Sequence, residues 1–182
     1  MLALALALVL VLAATTTASA RQAAPPAVVP GMGPGAADAA EAPVWSADTG
    51  NAWVDRQLAD INLYAERYPD SFIDEVVRYS GARRGYVAAL LQQHGWAAGD
   101  IYFACFWARA SGVDLRTLVR ARSASPASSW RDVLASLDAE PENTQLRALR
   151  HAIVASYERW DRPITLDAVL RAQLQQAGRL PR

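Results

Sequence analysis

The 182-residue chain contains no lysine, and all eighteen of its basic residues are arginine. With its abundant alanine, this reads as the coding bias of a GC-rich genome rather than as selection for guanidinium chemistry. One cysteine, Cys105, excludes an internal disulfide and with it a disulfide framework. It sits in the unbroken apolar run 101–108, the setting of a small buried hydrophobe. Only two histidines are present, His94 and His151, far apart in sequence. With a buried-looking thiol they make neither a metal-ligand spacing nor a nucleophile–base pair. There is no phosphate-cradling Gly loop and no G-x-S-x-G elbow. The acid pairs Asp74-Glu75 and Glu140/Glu142 read as solvated helix surface or caps. No cofactor, metal or catalytic set is therefore expected, and the chain reads as non-enzymatic. A hydrolase whose site places His94 or His151 beside an acid or hydroxyl in a cleft is the catalytic alternative.

Net charge is zero, yet the charges are unevenly placed. Residues 38–75 hold nine acids and two arginines, residues 76–131 hold eight arginines and two acids, and residues 132–182 hold seven of each. A basic middle suits an acidic partner or lipid headgroups. Pairing between the acidic first helix and the basic segment behind it is the plainer expectation.

The most informative segment is the first. Residues 1–14 form one apolar run, and Ala18-Ser19-Ala20 puts small residues at −3 and −1 of a cleavage point before Arg21. That is the layout of a secretory signal peptide, and it points to a periplasmic or secreted mature chain. The run is shorter than the roughly 20 apolar residues of a membrane span. No Lys or Arg precedes it, so an uncleaved anchor, or a start upstream of Met1, is the competing reading. Membrane contact is expected only through such an uncleaved signal. Residues 21–44, rich in Pro, Gly and Ala, cannot hold regular structure and read as a disordered tether.

From Trp45 to residue 182 no stretch alternates as a strand should, and helical punctuation recurs. The spacing predicts an all-α domain: a compact bundle of about seven to eight short helices with a central buried helix near 100–111. Asp48 or Thr49 is the expected cap of a first helix carrying Trp53, Leu58, Ile61, Tyr64 or Ala65, and Tyr68, ended by Pro69. Asp70-Ser71, with Asp74, should cap a second that Gly81 closes. A third is expected near 82–93, then the central helix opened by Asp100. Asp114, Ser128 or Ser129, and Thr165 are the expected caps of later helices.

Two segments invite a functional reading. In residues 76–91 a helix, a turn at Gly81, then Val87 and Leu90 at fixed offsets resemble a helix-turn-helix, with Arg83 and Arg84 where a recognition helix would begin. Zero net charge, and a face of Tyr86, Ala88 and Ala89 without base-reading side chains, argue against DNA. A packing corner explains the same spacings. Cytoplasmic DNA binding stands as the alternative should the signal be misread. The second segment places Trp96, Tyr102, Phe106 and Trp107 beside Arg116, Arg120 and Arg122; aromatics with arginine are what protein interfaces enrich. Trp96, Arg116, Arg120 and Arg122 are the candidate interaction face for an unknown protein or envelope component. Tyr157 and Trp160 are expected to seal the bundle.

The phrases Tyr64-Ala-Glu-Arg-Tyr-Pro-Asp-Ser-Phe-Ile-Asp-Glu-Val-Val-Arg-Tyr79, Gly95-Trp-Ala-Ala-Gly-Asp-Ile-Tyr-Phe-Ala-Cys105 and Val154-Ala-Ser-Tyr-Glu-Arg-Trp160 carry a resemblance. Across residues 55–160 the chain resembles uncharacterised exported helical proteins of Gram-negative bacteria. Those proteins usually carry a Gly-Trp-Gly phrase and then a Gly-containing turn with a Lys, where this chain has Ser128-Ser-Trp-Arg-Asp132 and Asp138-Ala-Glu-Pro141. The resemblance implies an exported helical domain and brings no activity or functional residue with it.

Overall fold

The computed structural model describes residues 45–178. The signal (1–20, with Ala18, Ala20 and Arg21 at its cleavage point), the tether (21–44) and residues 179–182 lie outside the described residues. Among those described the fold is all-α and holds eight helices: α1 (Ala52–Arg67), α2 (Pro69–Ser80), α3 (Arg84–Gln92), α4 (Ala98–Ser111), α5 (Leu115–Ala124), α6 (Trp130–Ala135), α7 (Asn143–Arg159) and α8 (Ala168–Gln176).

The centre is α4, as the all-apolar run implies. Every residue of it from Ala98 to Trp107 is buried, and it packs against α1, α2, α3, α5 and α7. A helix with no polar face has no side to give to water, so its neighbours must surround it. Phe103 stacks on Trp107 at 5.5 Å and tilts against Trp130 at 4.7 Å, tying α6 to the same core. The turn after α4 uses Gly112 at φ +78°, a left-handed conformation that costs glycine little.

Four helix starts differ from expectation, each for a local reason. The α1 cap is Asn51, whose side chain accepts from the Val54 N–H at 3.1 Å. Thr49 instead turns inward, donating its backbone N–H and its hydroxyl to Asp55 at 2.9 and 2.7 Å, while Asp48 pairs with Arg131. Pro69 does not merely end α1; it is the first residue of α2, where its missing N–H is not needed. Asp70 and Ser71 are thereby drawn inside the first turn, and no side chain caps α2. The central helix starts at Ala98, so Asp100 lies within its first turn and faces inward. Asp167, not Thr165, caps α8, accepting from the Leu170 N–H at 2.8 Å. Asp114 and Ser129 cap α5 and α6 as expected. Ser129 also holds the Asp132 carboxyl below its usual range through side-chain and backbone hydrogen bonds.

Side-chain placement on α1 follows suit. Trp53, Leu58, Ile61 and Ala65 are buried, Tyr64 is half-buried, and Tyr68 sits exposed at the α1–α2 junction. Helices α1 and α4 approach each other closely at Gly99. A Cβ there would lie 2.6 Å from the Trp45 ring and 2.7 Å from the Leu58 carbonyl oxygen. The Gly99 N–H donates to Asn62 of α1 at 2.7 Å. Glycine at this point lets α1 meet α4 and lets the Trp45 indole lie across the start of α4.

Candidate functional site: an aromatic cleft over a buried ion pair

Trp45, pressed onto Gly99, forms one wall of a cleft of about 630 Å³. Tyr86 and Leu90 of α3 line it, as do His94 and Trp96 of the following turn, Asp100 of α4, and Val119, Arg122 and Ser123 of α5. The volume falls within the range of small-ligand sites.

Asp100 is the floor. Only 6% exposed, its carboxylate accepts the indole N–H of Trp130 at 2.6 Å and that of Trp45 at 3.3 Å. The Arg122 guanidinium reaches it within 3.5 Å and stands 5.7 Å over the Trp130 ring. Arg122 also donates to the carbonyl oxygens of Ser125 and Pro126, which holds the loop after α5 against the cleft. Its Nε–H is buried and has no partner among the described residues. A buried carboxylate is tolerated only when paired and hydrogen bonded, and these donors meet that demand. Trp96, half-buried, meets Trp130 edge-on at 6.5 Å.

Of the candidate interaction residues, Trp96 and Arg122 are thus brought into one cleft. Arg116 and Arg120 do not line it but are exposed on α5 beside it. Their charges pull down the Tyr86 phenol, against the stronger upward push of its partial burial. Neither makes an ion pair among the described residues. The other expected aromatics go elsewhere: Tyr102, Phe106 and Trp107 are buried core. Trp45, Trp130 and Asp100 form the site without having stood out as a group in the sequence. An acid at the head of an otherwise apolar helix was the available signal.

The helix-turn-helix-like segment is a corner between α2 and α3. Gly81 takes φ +83° and donates its N–H to the Val77 carbonyl, and Val87 and Leu90 are buried. Arg84 is tied back to Asp74 on α2, Arg83 is exposed, and Tyr86 is turned to the cleft. The solvated acid pair Asp74-Glu75 is only half realised. Asp74 is exposed, whereas Glu75 is 5% exposed because its direction on α2 points it at α7. There it accepts the Ser156 hydroxyl at 2.6 Å and both Nε and a terminal nitrogen of Arg159. With its one proton given to Glu75, the Ser156 hydroxyl accepts from Tyr102 at 2.8 Å. Arg159 lies 3.6 Å from the Tyr79 ring centre. This network joins α2, α4 and α7 from inside.

Pairing of the acidic first segment is divided. Asp74 and Asp48 reach the basic segment through Arg84 and Arg131, while Asp60 and Glu75 pair with Arg162 and Arg159 further on. Trp160 stacks on Tyr64 at 4.2 Å and meets Tyr157 at 5.9 Å, closing one end of the bundle. His94 lies on the cleft, and His151 lines a separate groove of about 320 Å³ with Tyr79, Phe106 and Arg109. The His151 ring meets Gln173 at 3.4 Å, and among the described residues neither imidazole hydrogen bonds to an acid or hydroxyl. Burial pushes the Cys105 thiol up to about 12, so it is held as the neutral thiol.

No described helix is long and apolar enough to cross a membrane, and no cluster of three or more ligating side chains occurs among the described residues. Comparison of the chain with protein-family models, curated proteins and solved structures finds no match.

Proposed function

We propose that the chain is an exported, non-enzymatic helical domain that binds an envelope component or protein at the face made by Trp96, Arg116, Arg120 and Arg122. Export is supported by the apolar run 1–14 and by Ala18-Ser19-Ala20 before Arg21. The observation that carries the binding reading is the cleft itself. Aromatic and arginine side chains distant in sequence meet at one concave surface of about 630 Å³, with exposed Arg116 and Arg120 alongside. Pockets of this size with convergent polar groups are where ligands bind.

The test is cell fractionation with N-terminal sequencing of the mature protein, followed by crosslinking capture from the same compartment. The expected result is a mature chain beginning at Arg21 outside the cytoplasm. Its captured partner should be lost in Arg116→Ala/Arg120→Ala while the fold is kept. Met1 retained in the cytosol, with salt-sensitive DNA binding lost in Arg83→Ala/Arg84→Ala, would overturn it.

A further inference from the structure

We propose that the cleft between α3, α4 and α5 binds an acidic saccharide, its ring against the aromatic wall and its carboxylate or phosphate on Arg116 and Arg120. This rests on the binding reading above and names the class of ligand.

Residues 76–131 contain two acids, Asp100 and Asp114. Asp100 is taken up by Trp45, Trp130 and Arg122. Asp114 caps α5, accepting from the N–H and hydroxyl of Thr117. Arg122 is committed to Asp100 and to two loop carbonyls. The interior of the cleft is therefore a closed ion pair with no charge left for a ligand. A bare cation finds no open carboxylate there. The uncommitted charge beside the cleft is positive and belongs to Arg116 and Arg120.

Helical geometry puts that charge in line with the cleft. Residues 116, 119, 120 and 123 recur at i, i+3, i+4 and i+7, so they share one stripe of α5. Val119 and Ser123 of that stripe line the cleft, and both arginines act electrostatically on Tyr86, another lining residue. A ligand lying along the stripe meets aromatic rings first and guanidinium groups next.

The wall decides what the uncharged part must be. The faces of aromatic rings carry negative potential and attract the polarised C–H edge of a sugar ring. The polar groups at hand are single and separated: the Tyr86 phenol, the His94 imidazole and the Ser123 hydroxyl. A ring bearing several hydroxyls can satisfy such scattered groups. A hydrocarbon ligand would leave them unpaired, and a flexible acidic polymer has no need of the aromatic wall.

The experiment titrates the full-length protein, with tryptophan fluorescence as readout. The probes are tetragalacturonate, its neutral methyl ester, glucose 6-phosphate and polyglutamate. Binding should be saturable for tetragalacturonate or glucose 6-phosphate, and which of them binds separates carboxylate from phosphate sources. Binding should weaken as salt rises and fall roughly tenfold in Arg116→Ala/Arg120→Ala. Ser123→Trp, at an exposed position whose new ring would fill the cleft, should weaken it by a similar factor with an unchanged circular dichroism spectrum. Failure of both acidic sugars to bind, or equal binding of the methyl ester, overturns the proposal. So does polyglutamate binding as tightly as the sugars with Ser123→Trp indifferent. If the crosslinked partner still depends on Arg116 and Arg120 while the acidic sugars fail, only the saccharide assignment falls.

Discussion

Trp130 donates its indole N–H to the Asp100 carboxylate at 2.6 Å, and both residues are buried. Through this one bond the short helix α6 is fastened to the first turn of the central helix. Asp100 thereby joins the cleft to the core: one oxygen faces Trp130 inside, the other faces Trp45 and Arg122 at the site.

Removing that carboxylate strands a buried indole N–H and a nearly buried guanidinium. Asp100→Ala should therefore lower stability by roughly 3–5 kcal/mol, the cost of breaking a buried pair from one side. Asp100→Asn keeps an acceptor for Trp130 and should cost less, about 1–3 kcal/mol. Urea unfolding of both variants measures this. A loss below about 1 kcal/mol in the alanine variant would show that the bond carries little.

The all-α class, the central helix and most helix ends were legible because periodicity and Gly punctuation are local signals. Asp100 shows where such signals stop. In sequence it looks like an N-cap, since short acids before apolar runs usually are. Its capping role vanished when α4 began at Ala98, and what it does instead depends on Trp130, thirty residues on. Glu75 is alike: nothing near it separates it from Asp74, and only α7, supplying Ser156 and Arg159, makes it a buried acid. The interaction face was half legible for the same reason. Arg116, Arg120 and Arg122 share a short segment with no acid between them, whereas Trp45 reaches the cleft across Gly99, a contact no local pattern encodes.

Two glycines should respond oppositely to alanine. At Gly99 the added methyl would collide with the Trp45 ring and the Leu58 backbone, one of which cannot move without shifting α1. Gly99→Ala should cost about 1–3 kcal/mol, as overpacking does, and should change the fluorescence of Trp45. At Gly85, inside α3, a methyl meets nothing within 4 Å. Gly85→Ala should stabilise by about 0.5–1 kcal/mol by restricting the unfolded chain. Thermal unfolding of the pair checks both signs, and a stabilised Gly99→Ala would contradict the close approach.

The Tyr102–Ser156–Glu75 chain should behave as one unit. Ser156→Ala removes the acceptor of Tyr102 and a donor to Glu75 together, for an expected loss of about 1–3 kcal/mol. Tyr102→Phe should cost about 1 kcal/mol. Added to Ser156→Ala it should cost much less than that, because its partner is already gone. A double-mutant cycle giving strict additivity would rule out this coupling.

Alkaline pH should expose the buried neutral groups. Burial is the main cause raising Cys105 to about 12, against an ordinary thiol near 9. Burial likewise raises Tyr102 and Tyr157 above the ordinary phenol value of 10, with the hydrogen-bonded Asp60 carboxylate raising Tyr157 further. A raised acid favours the protonated folded form. Its stabilisation is complete below the unfolded value and is lost as pH climbs towards the folded one. Over pH 9 to 12 the Cys105 contribution should fade at roughly 1.4 kcal/mol per pH unit, and the phenols should follow from pH 10 upward. Cys105→Ala deletes one of these losses. Whatever its stability near pH 8, its unfolding free energy should fall by roughly 2.5 kcal/mol less than that of the parent between about pH 8 and 11. Urea unfolding across that range measures the difference in slope, and parallel curves would mean that the thiol ionises as readily in the folded chain as in the unfolded one.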